Sequence, residues 1–465
     1  MSNLNLCWFR TDLRLRDNRA LHAAISKGPV AGLYVATPDQ WQSHDDAPIK
    51  QDFWRRNLVE LKAALAERGI PLICCEVPDY AAIPSLMEEL IEKWAISSLN
   101  FNKEYPLNEI RRDEAVRFLC EAEGVEVDVF DDSVLIPPGS LFNNSGTPFK
   151  VFTPFSKKAR QIIGPSQIDP VSCPENAFGP DKLPALSHEK PLDKIAWPIP
   201  QDHWTKLWPA GEAYGLNLLE AFAREKIGQY REQRDFPSIS GTSTLSPWLA
   251  AGVVSIRDCW QQASRWQEGD GVLIWQNELL WRDFYKHIMF HYPHVSMNQP
   301  FKQDLGHIPW REDETAFQAW CQGRTGIPII DAGMRQLQTT GWMHNRVRMI
   351  TAMFLSKQLL IDWRKGESWF MRHLVDGDFS ANNGGWQWSA STGTDAVPYF
   401  RVFNPVTQSQ RFDVNGDYLR KYVPELSGLD SRAIHAPGLL KPECYPMPLV
   451  DLKHARERAI AAFKK

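Results

Sequence analysis

The chain has no long apolar run. None approaches the ~18 residues that a membrane-spanning helix needs. The apolar stretch Leu4–Phe9 is followed at once by Arg10, Asp12, Arg14 and Arg16, which excludes the hydrophobic region of a secretion signal. There is no Cys-x-x-Cys pair among the eight cysteines, and Cys74 and Cys75 are adjacent, a pattern that suits neither a zinc site nor a disulfide framework. A cytoplasmic protein without membrane or metal is the expectation. No Gly-x-Gly-x-x-Gly turn follows the first apolar segment, which excludes a dinucleotide held in the usual Rossmann manner. Internal repeats and low-complexity tracts are missing too. The formal net charge of -4 does not by itself point to a nucleic-acid partner.

What is present is apolar material for large cores, 43% of 465 residues, at a length that suits roughly two or three domains. Nineteen tryptophans, concentrated after residue 197, are mostly core or interface material. The basic residues are uneven. Lys150, Lys157, Lys158 and Arg160 lie in a stretch, Ser133 to Ile168, that has no acid. From Asp331 to Arg372, Arg335, Arg346, Arg348, Lys357, Arg364, Lys365 and Arg372 face only Asp331, Asp362 and Glu367. A phosphate-tracking groove on an otherwise acidic surface has this pattern, and so does a scattered solvated surface.

Short β-branched runs at Leu4–Phe9, Val30–Val35, Pro71–Val77, Ser98–Asn102 and Val125–Phe130 alternate with helical patterns such as Asp52–Arg68 and Asn108–Glu123. This rhythm predicts a doubly wound parallel α/β domain over residues 1–135. Prolines recur from Pro165 to Pro209 without apolar periodicity, inside an interdomain connector over 136–211 that wraps over the surface. Residues 212–465 carry helical patterns only, which predicts an all-helical domain. Val272–Phe290 is apolar nearly all round and reads as a buried helix. In Asn345–Leu360, Val347, Ile350, Phe354 and Leu355 form a packing face, with Asn345, Arg348 and Met349 on another.

Three segments place polar groups where packing alone does not call for them. The loop Asp235–Ser246 is rich in hydroxyls and leads into a helix, which makes either a phosphate site or a simple cap. Glu278 shares a helix face with Trp275, Trp281, Arg282 and Tyr285. It is either the i,i+4 partner of Arg282 or a carboxyl raised by aromatic walls that can donate a hydrogen bond. The third segment runs from Gly-Trp-Met-His-Asn-Arg-Val-Arg-Met at Gly341 through Ile361-Asp-Trp-Arg and Asp376-Gly-Asp-Phe-Ser-Ala-Asn-Asn-Gly-Gly-Trp-Gln-Trp to Ser391-Thr-Gly-Thr-Asp.

With Trp8-Phe-Arg-Thr-Asp-Leu-Arg-Leu-Arg-Asp-Asn18, these motifs resemble the photolyase and cryptochrome family over about 400 residues, and class I cyclobutane pyrimidine dimer photolyases most. The resemblance implies a flavoenzyme that uses light to split cyclobutane dimers in DNA flipped into its pocket. It implies FAD held at Tyr230, Thr242, Ser243, Thr244, Leu245 and Ser246, with Trp281, Arg282, Asn345, Arg348, Asp376, Asp378 and Asn382 around the rest. Trp310, Trp363 and Trp386 match an electron relay. Glu278 matches the lesion-contacting carboxyl, and Met349 the side chain beside the pyrimidines. Arg234, Arg346, Arg401 and Gln408 match DNA-gripping positions, joined by Glu278, Trp281 and Asn345. The partner implied is dimer-containing DNA, bound by a monomer.

Two alternatives belong to the same family. A (6-4) photolyase carries a second histidine after His344, where this chain has Asn345. A cryptochrome often has Cys or Asp where this chain has Asn382, and a signalling tail, whereas this chain stops at Lys465. His44, Asn108 and Glu109 match positions that hold 5,10-methenyltetrahydrofolate as an antenna. Where that pattern continues with Cys-Lys, this chain reads Ser296-Met297, so a deazaflavin or an empty site stays open beside folate.

Overall fold

The computed structural model describes residues 4–180, 182–266, 268–306 and 308–464. Lys465, at which a tail was weighed, lies outside the described residues. Five parallel strands, β1 (Leu4–Phe9), β2 (Val30–Ala36), β3 (Leu72–Glu76), β4 (Ile96–Asn102) and β5 (Glu126–Phe130), form one sheet in the order β3-β2-β1-β4-β5. Every residue of β1 and β2 is buried, as continuous apolar runs covered by helices on both faces require. The order reverses between β1 and β4, so a crevice opens beyond their carboxyl ends, at Arg10, Thr11 and Glu104.

The proline-rich connector lies against the outer edge of the sheet. Cys75 of β3 pairs with Glu189, and Glu76 takes hydrogen bonds from Lys190 at 2.5 Å and the Ala196 amide at 2.6 Å. Trp197 stacks on Trp41 with ring centroids 5.0 Å apart. An edge strand that would otherwise expose unpaired amides is thereby covered.

Among the described residues, everything after residue 211 is helix or loop. Its central element is the 22-residue helix Asp270–His291, which buries Trp275, Leu279, Leu280, Phe284 and Ile288. A second core gathers Trp320, Val347, Ile350, Phe354, Leu355, Trp363 and Trp386. The packing face expected in 345–360 is therefore buried, while Asn345 is exposed and Arg348 and Met349 are half-buried. The helix Asn345–Met353 passes into one wider, π-helical turn at Phe354–Gln358.

The two parts are joined by ion pairs with almost no water contact. Arg257, fully buried, binds Asp17 at 2.7 Å and also Asp132, which Arg14 binds from the other side. Glu212 accepts from the amides of Leu15 and Arg16 at 2.8 and 2.9 Å. Gly252, at φ +64°, lets this junction close, because a Cβ there would strike the Thr11 backbone. The polar run Arg10–Asn18 is thus largely a clamp between the two parts.

Candidate functional site

Glu278 and Arg282 leave the same helix one turn apart but do not pair. Glu278 Oε1 accepts from Arg234 Nη1 at 2.5 Å, while Arg282 donates to the carbonyls of Ser133 and Leu249 at 2.5 and 3.3 Å. The i,i+4 pairing weighed from the sequence is corrected, because the Ser133 carbonyl and the Leu249 carbonyl near the end of the helix Ser246–Ala250 take that guanidinium instead. Burial pushes the Glu278 carboxyl up, and Arg234 pulls it back. Nearby, Trp281 stacks face to face on Phe152 at 3.8 Å and tilts against Tyr285 at 5.5 Å. Trp275 instead packs into the core against Phe222.

Arg234 belongs to a cluster around Asp235. Arg346 Nη2 binds Asp235 at 2.8 Å and lays its guanidinium over Phe412 at 4.5 Å. Phe412 ends the helix Pro405–Phe412, which carries Gln408. Arg401, exposed, lies just before that helix. Arg234, Arg346 and the helix that carries Gln408 are brought to one region, and Arg401 precedes that helix in the chain. The other basic stretch is not: Arg160 is tied to Gln276 and Asn277 at 3.0 and 2.9 Å, while Lys150, Lys157 and Lys158 are exposed. In the 331–372 stretch, Arg335 pairs with Glu425 at 2.8 Å and Lys357 is fully buried, so its charge excess is not a surface groove.

The loop before Ser246 is half-buried at Thr242, Ser243 and Thr244, with Leu245 and Tyr230 in the core. Thr244 takes a positive φ of 53°. Trp342 Nε1 donates to Ser246 Oγ at 3.2 Å, which fixes the start of the following helix. Arg348 grips Asp376 with Nη2 at 2.8 and 3.0 Å, and Asp378 caps the helix Phe379–Ser389 by accepting from the Ala381 amide. On that helix Asn382 donates to the Glu367 carbonyl at 3.1 Å. A Cβ added at Gly385, one turn on, would meet nothing within 4 Å, so this helix face opens onto free space.

Trp386 lies in the second core with its indole N–H buried and without a partner. Its ring sits where Gly366 leaves room, edge-on to Phe370 at 4.9 Å and to Trp320 at 6.0 Å. Trp363 is buried in the same core, and Trp310, half-buried, packs at its margin. Trp320 was not singled out from the sequence, since one tryptophan in a helix carries no signal beyond core.

Between the two parts lies a cavity of about 530 Å³. His44, Asn108 and Glu109 share one wall: Asn108 Nδ2 is 3.0 Å from His44 Nε2, and Glu109 Oε1 is 3.4 Å from His44 Nδ1. Tyr80 also donates to Glu109 Oε1, whereas Oε2 is buried without a partner. The opposite wall carries Arg282, Lys286, Asn298, Glu367 and Asp378. Ser296 lines the cavity, while Met297 does not. Lys286, missed in the sequence reading, is pushed down to about 8 by burial and then by Arg282.

A family profile described as "DNA photolyase" matches residues 5–175, and one described as "FAD binding domain of DNA photolyase" matches residues 275–465. The chain is 40% identical to a deoxyribodipyrimidine photo-lyase of Vibrio cholerae, over 99% of both chains. It is 41% identical to that of Escherichia coli, over 99% of this chain and 98% of the relative. The crystal structure of a class III photolyase from Agrobacterium tumefaciens superposes with a TM-score of 0.91 at 35% identity, covering 100% of this chain and 98% of the other. This match overturns the class I expectation. The motifs behind it mark flavin and lesion chemistry, which does not separate the classes.

Proposed function

The chain belongs to the DNA photolyase family and acts as a deoxyribodipyrimidine photo-lyase, an FAD-dependent, light-driven carbon-carbon lyase, and from this premise we propose how its residues divide the work. The free space beside Gly385, bordered by Asn382, and the unpartnered Trp386 N–H fit a planar ring system in the helical part. Tyr230 and Thr242 to Ser246 would hold the FAD phosphates. Trp281, Arg282, Asn345, Arg348, Asp376, Asp378 and Asn382 would surround the remainder. When bound, FAD supplies the light-absorbing one-electron donor.

The substrate is DNA bearing a cyclobutane pyrimidine dimer, extruded from the duplex into the pocket; light-driven photolyases are a named case of base flipping. Arg234, Arg346, Arg401 and Gln408 hold the strand around it. Trp281 and Met349 offer the apolar surface on which a flipped, poorly solvated dimer rests. Glu278 supplies the polar contact, a hydrogen bond to a pyrimidine carbonyl that strengthens as charge builds there. Trp310, Trp363 and Trp386 carry an electron from the surface inward. The observation that carries this reading is the Glu278–Arg234 contact, a carboxyl raised by burial on the helix that also carries Trp281.

The cavity wall of His44, Asn108 and Glu109 supports 5,10-methenyltetrahydrofolate as the antenna, since the unpartnered Glu109 Oε2 can accept from a pterin N–H. A single chain contains every residue given a role, which supports a monomer. The eight unpaired thiols suit a reducing cytoplasm. The test is an absorption spectrum of the purified protein together with dimer loss from an irradiated oligonucleotide. Flavin and pterin bands with light-dependent dimer loss are expected; dimers that persist under light would overturn the assignment.

A further inference from the structure

The segment from Ser391 to Arg401 leaves the helix Phe379–Ser389 and returns to Pro405–Phe412 without regular structure, and one side chain closes it. Lys357, fully buried in the π-helical turn, donates to Ser391 Oγ at 2.7 Å, where the loop begins. It also donates to the carbonyls of Arg401 and Tyr399, at 3.3 and 3.4 Å, where the loop ends. Burial, then Lys302, pushes this amine down to about 7; when protonated it has three N–H donors, and three oxygens from the two ends of the loop meet them. The same turn reinforces the closing end: Gln358 donates to the Phe403 carbonyl, and the Phe403 amide to Met353 Sδ at 3.2 Å. The wider π turn points Lys357 and Gln358, adjacent in sequence, into one loop.

The closed loop reaches the proposed lesion pocket on two sides. Asp395, at φ 45°, accepts from the Phe152 amide at 3.0 Å, and Phe152 is the ring stacked on Trp281. At the other side stand the exposed Arg401 and Phe400. We infer that Lys357 is a positioning residue for lesion binding: it staples the two ends of this loop so that Arg401 meets the DNA strand and Phe152 stays seated on Trp281. This rests on the proposed role of Arg401 in gripping DNA.

The test uses the flavin-bearing protein and a duplex oligonucleotide with one central thymine cyclobutane dimer. Lys357→Met, which keeps the stem and removes the donors, is expected to weaken binding about tenfold, the worth of a charge-assisted hydrogen bond. Flavin content and the fraction of bound dimers split per flash stay unchanged. Amide exchange at 391–403 rises. Unchanged affinity overturns the inference, and so does a loss of flavin or of per-complex splitting that matches the loss of affinity. Arg401→Ala separates the two layers: if it leaves affinity and salt dependence unaltered, the strand-gripping role fails, whatever Lys357 does. Should Lys357→Met not fold, Gln358→Leu makes the same measurement on the neighbouring clasp, with the same outcomes deciding.

Discussion

Arg234 Nη1 stands 2.5 Å from Glu278 Oε1, across 44 residues of sequence, and the contact leaves Arg282 free to bind the backbone carbonyls of Ser133 and Leu249. Both side chains of the pair keep water contact, at 23% and 31% exposure. Breaking it therefore costs the fold about 1 kcal/mol or less. Glu278→Ala is expected to lower lesion-DNA affinity about tenfold, about 1.5 kcal/mol, with melting temperature and flavin content nearly unchanged. If the pair acts as one unit, the loss in Arg234→Ala/Glu278→Ala is smaller than the sum of the single losses. A large drop in melting temperature with normal affinity would give Glu278 a structural role only.

The junction between the two parts makes the opposite forecast. Arg257 and Asp17 have no exposed surface, and Asp132 has almost none. Arg257→Ala strands the Asp17 carboxylate in the interior, while Asp132 keeps Arg14, and costs about 3–5 kcal/mol. Arg16 pairs with Asp258 from a half-exposed position, and its alanine variant costs about 1 kcal/mol or less. Urea unfolding of both variants checks the ranking, and equal losses would refute the clamp.

The parallel sheet was legible because its strands are apolar on both faces and evenly interrupted, as β1 shows. The flavin and lesion residues were legible as ordered motifs, not as geometry. Pairings across the chain were not: the sequence offers Arg282 to Glu278 at helical spacing, and only the packed fold brings Arg234 there. Lys357 read as one surface charge among seven because sequence does not show which side of a widened helical turn faces inward. The Arg10–Asn18 run read as a family signature, and its bonds to Gly252 and Arg257 explain why it is so rich in charge.

Gly366 offers a test of how Trp386 is held. A Cβ there would overlap the Trp386 ring and approach Leu355. Gly366→Ala is expected to cost about 1–3 kcal/mol through overpacking. It should also slow photoreduction of oxidised flavin, as Trp386→Phe should with less loss of stability. Flash photolysis and melting curves on both variants check this. Unimpaired photoreduction in Trp386→Phe would remove that residue from the relay.

His344 is expected to make stability fall with acid. It is buried at the start of Asn345–Met353, where its Nδ1 accepts from the Arg346 amide at 3.2 Å, a bond that needs the ring neutral. Burial pushes it down to about 4, with Arg346, Arg348 and Arg234 adding to the shift and Asp235 opposing it. The unfolded chain takes up this proton below about pH 6.5 and the folded chain only near 4, so in that window the unfolded state binds more protons. Stability attached to His344 is therefore full above 6.5 and falls by about 3 kcal/mol as pH drops to 4. His287, pushed down to about 4 by burial, acts in the same direction. Glu367 and Asp283, raised by burial to about 7 and about 6, gain protons on folding and act in the opposite one. The wild-type curve is a sum, so the informative quantity is its difference from His344→Asn, since asparagine caps a helix without titrating. Urea unfolding at pH 7, 6 and 5 should show the variant losing less stability, by up to ~1.4 kcal/mol per pH unit. Parallel curves would mean that His344 titrates alike in the folded and unfolded chain.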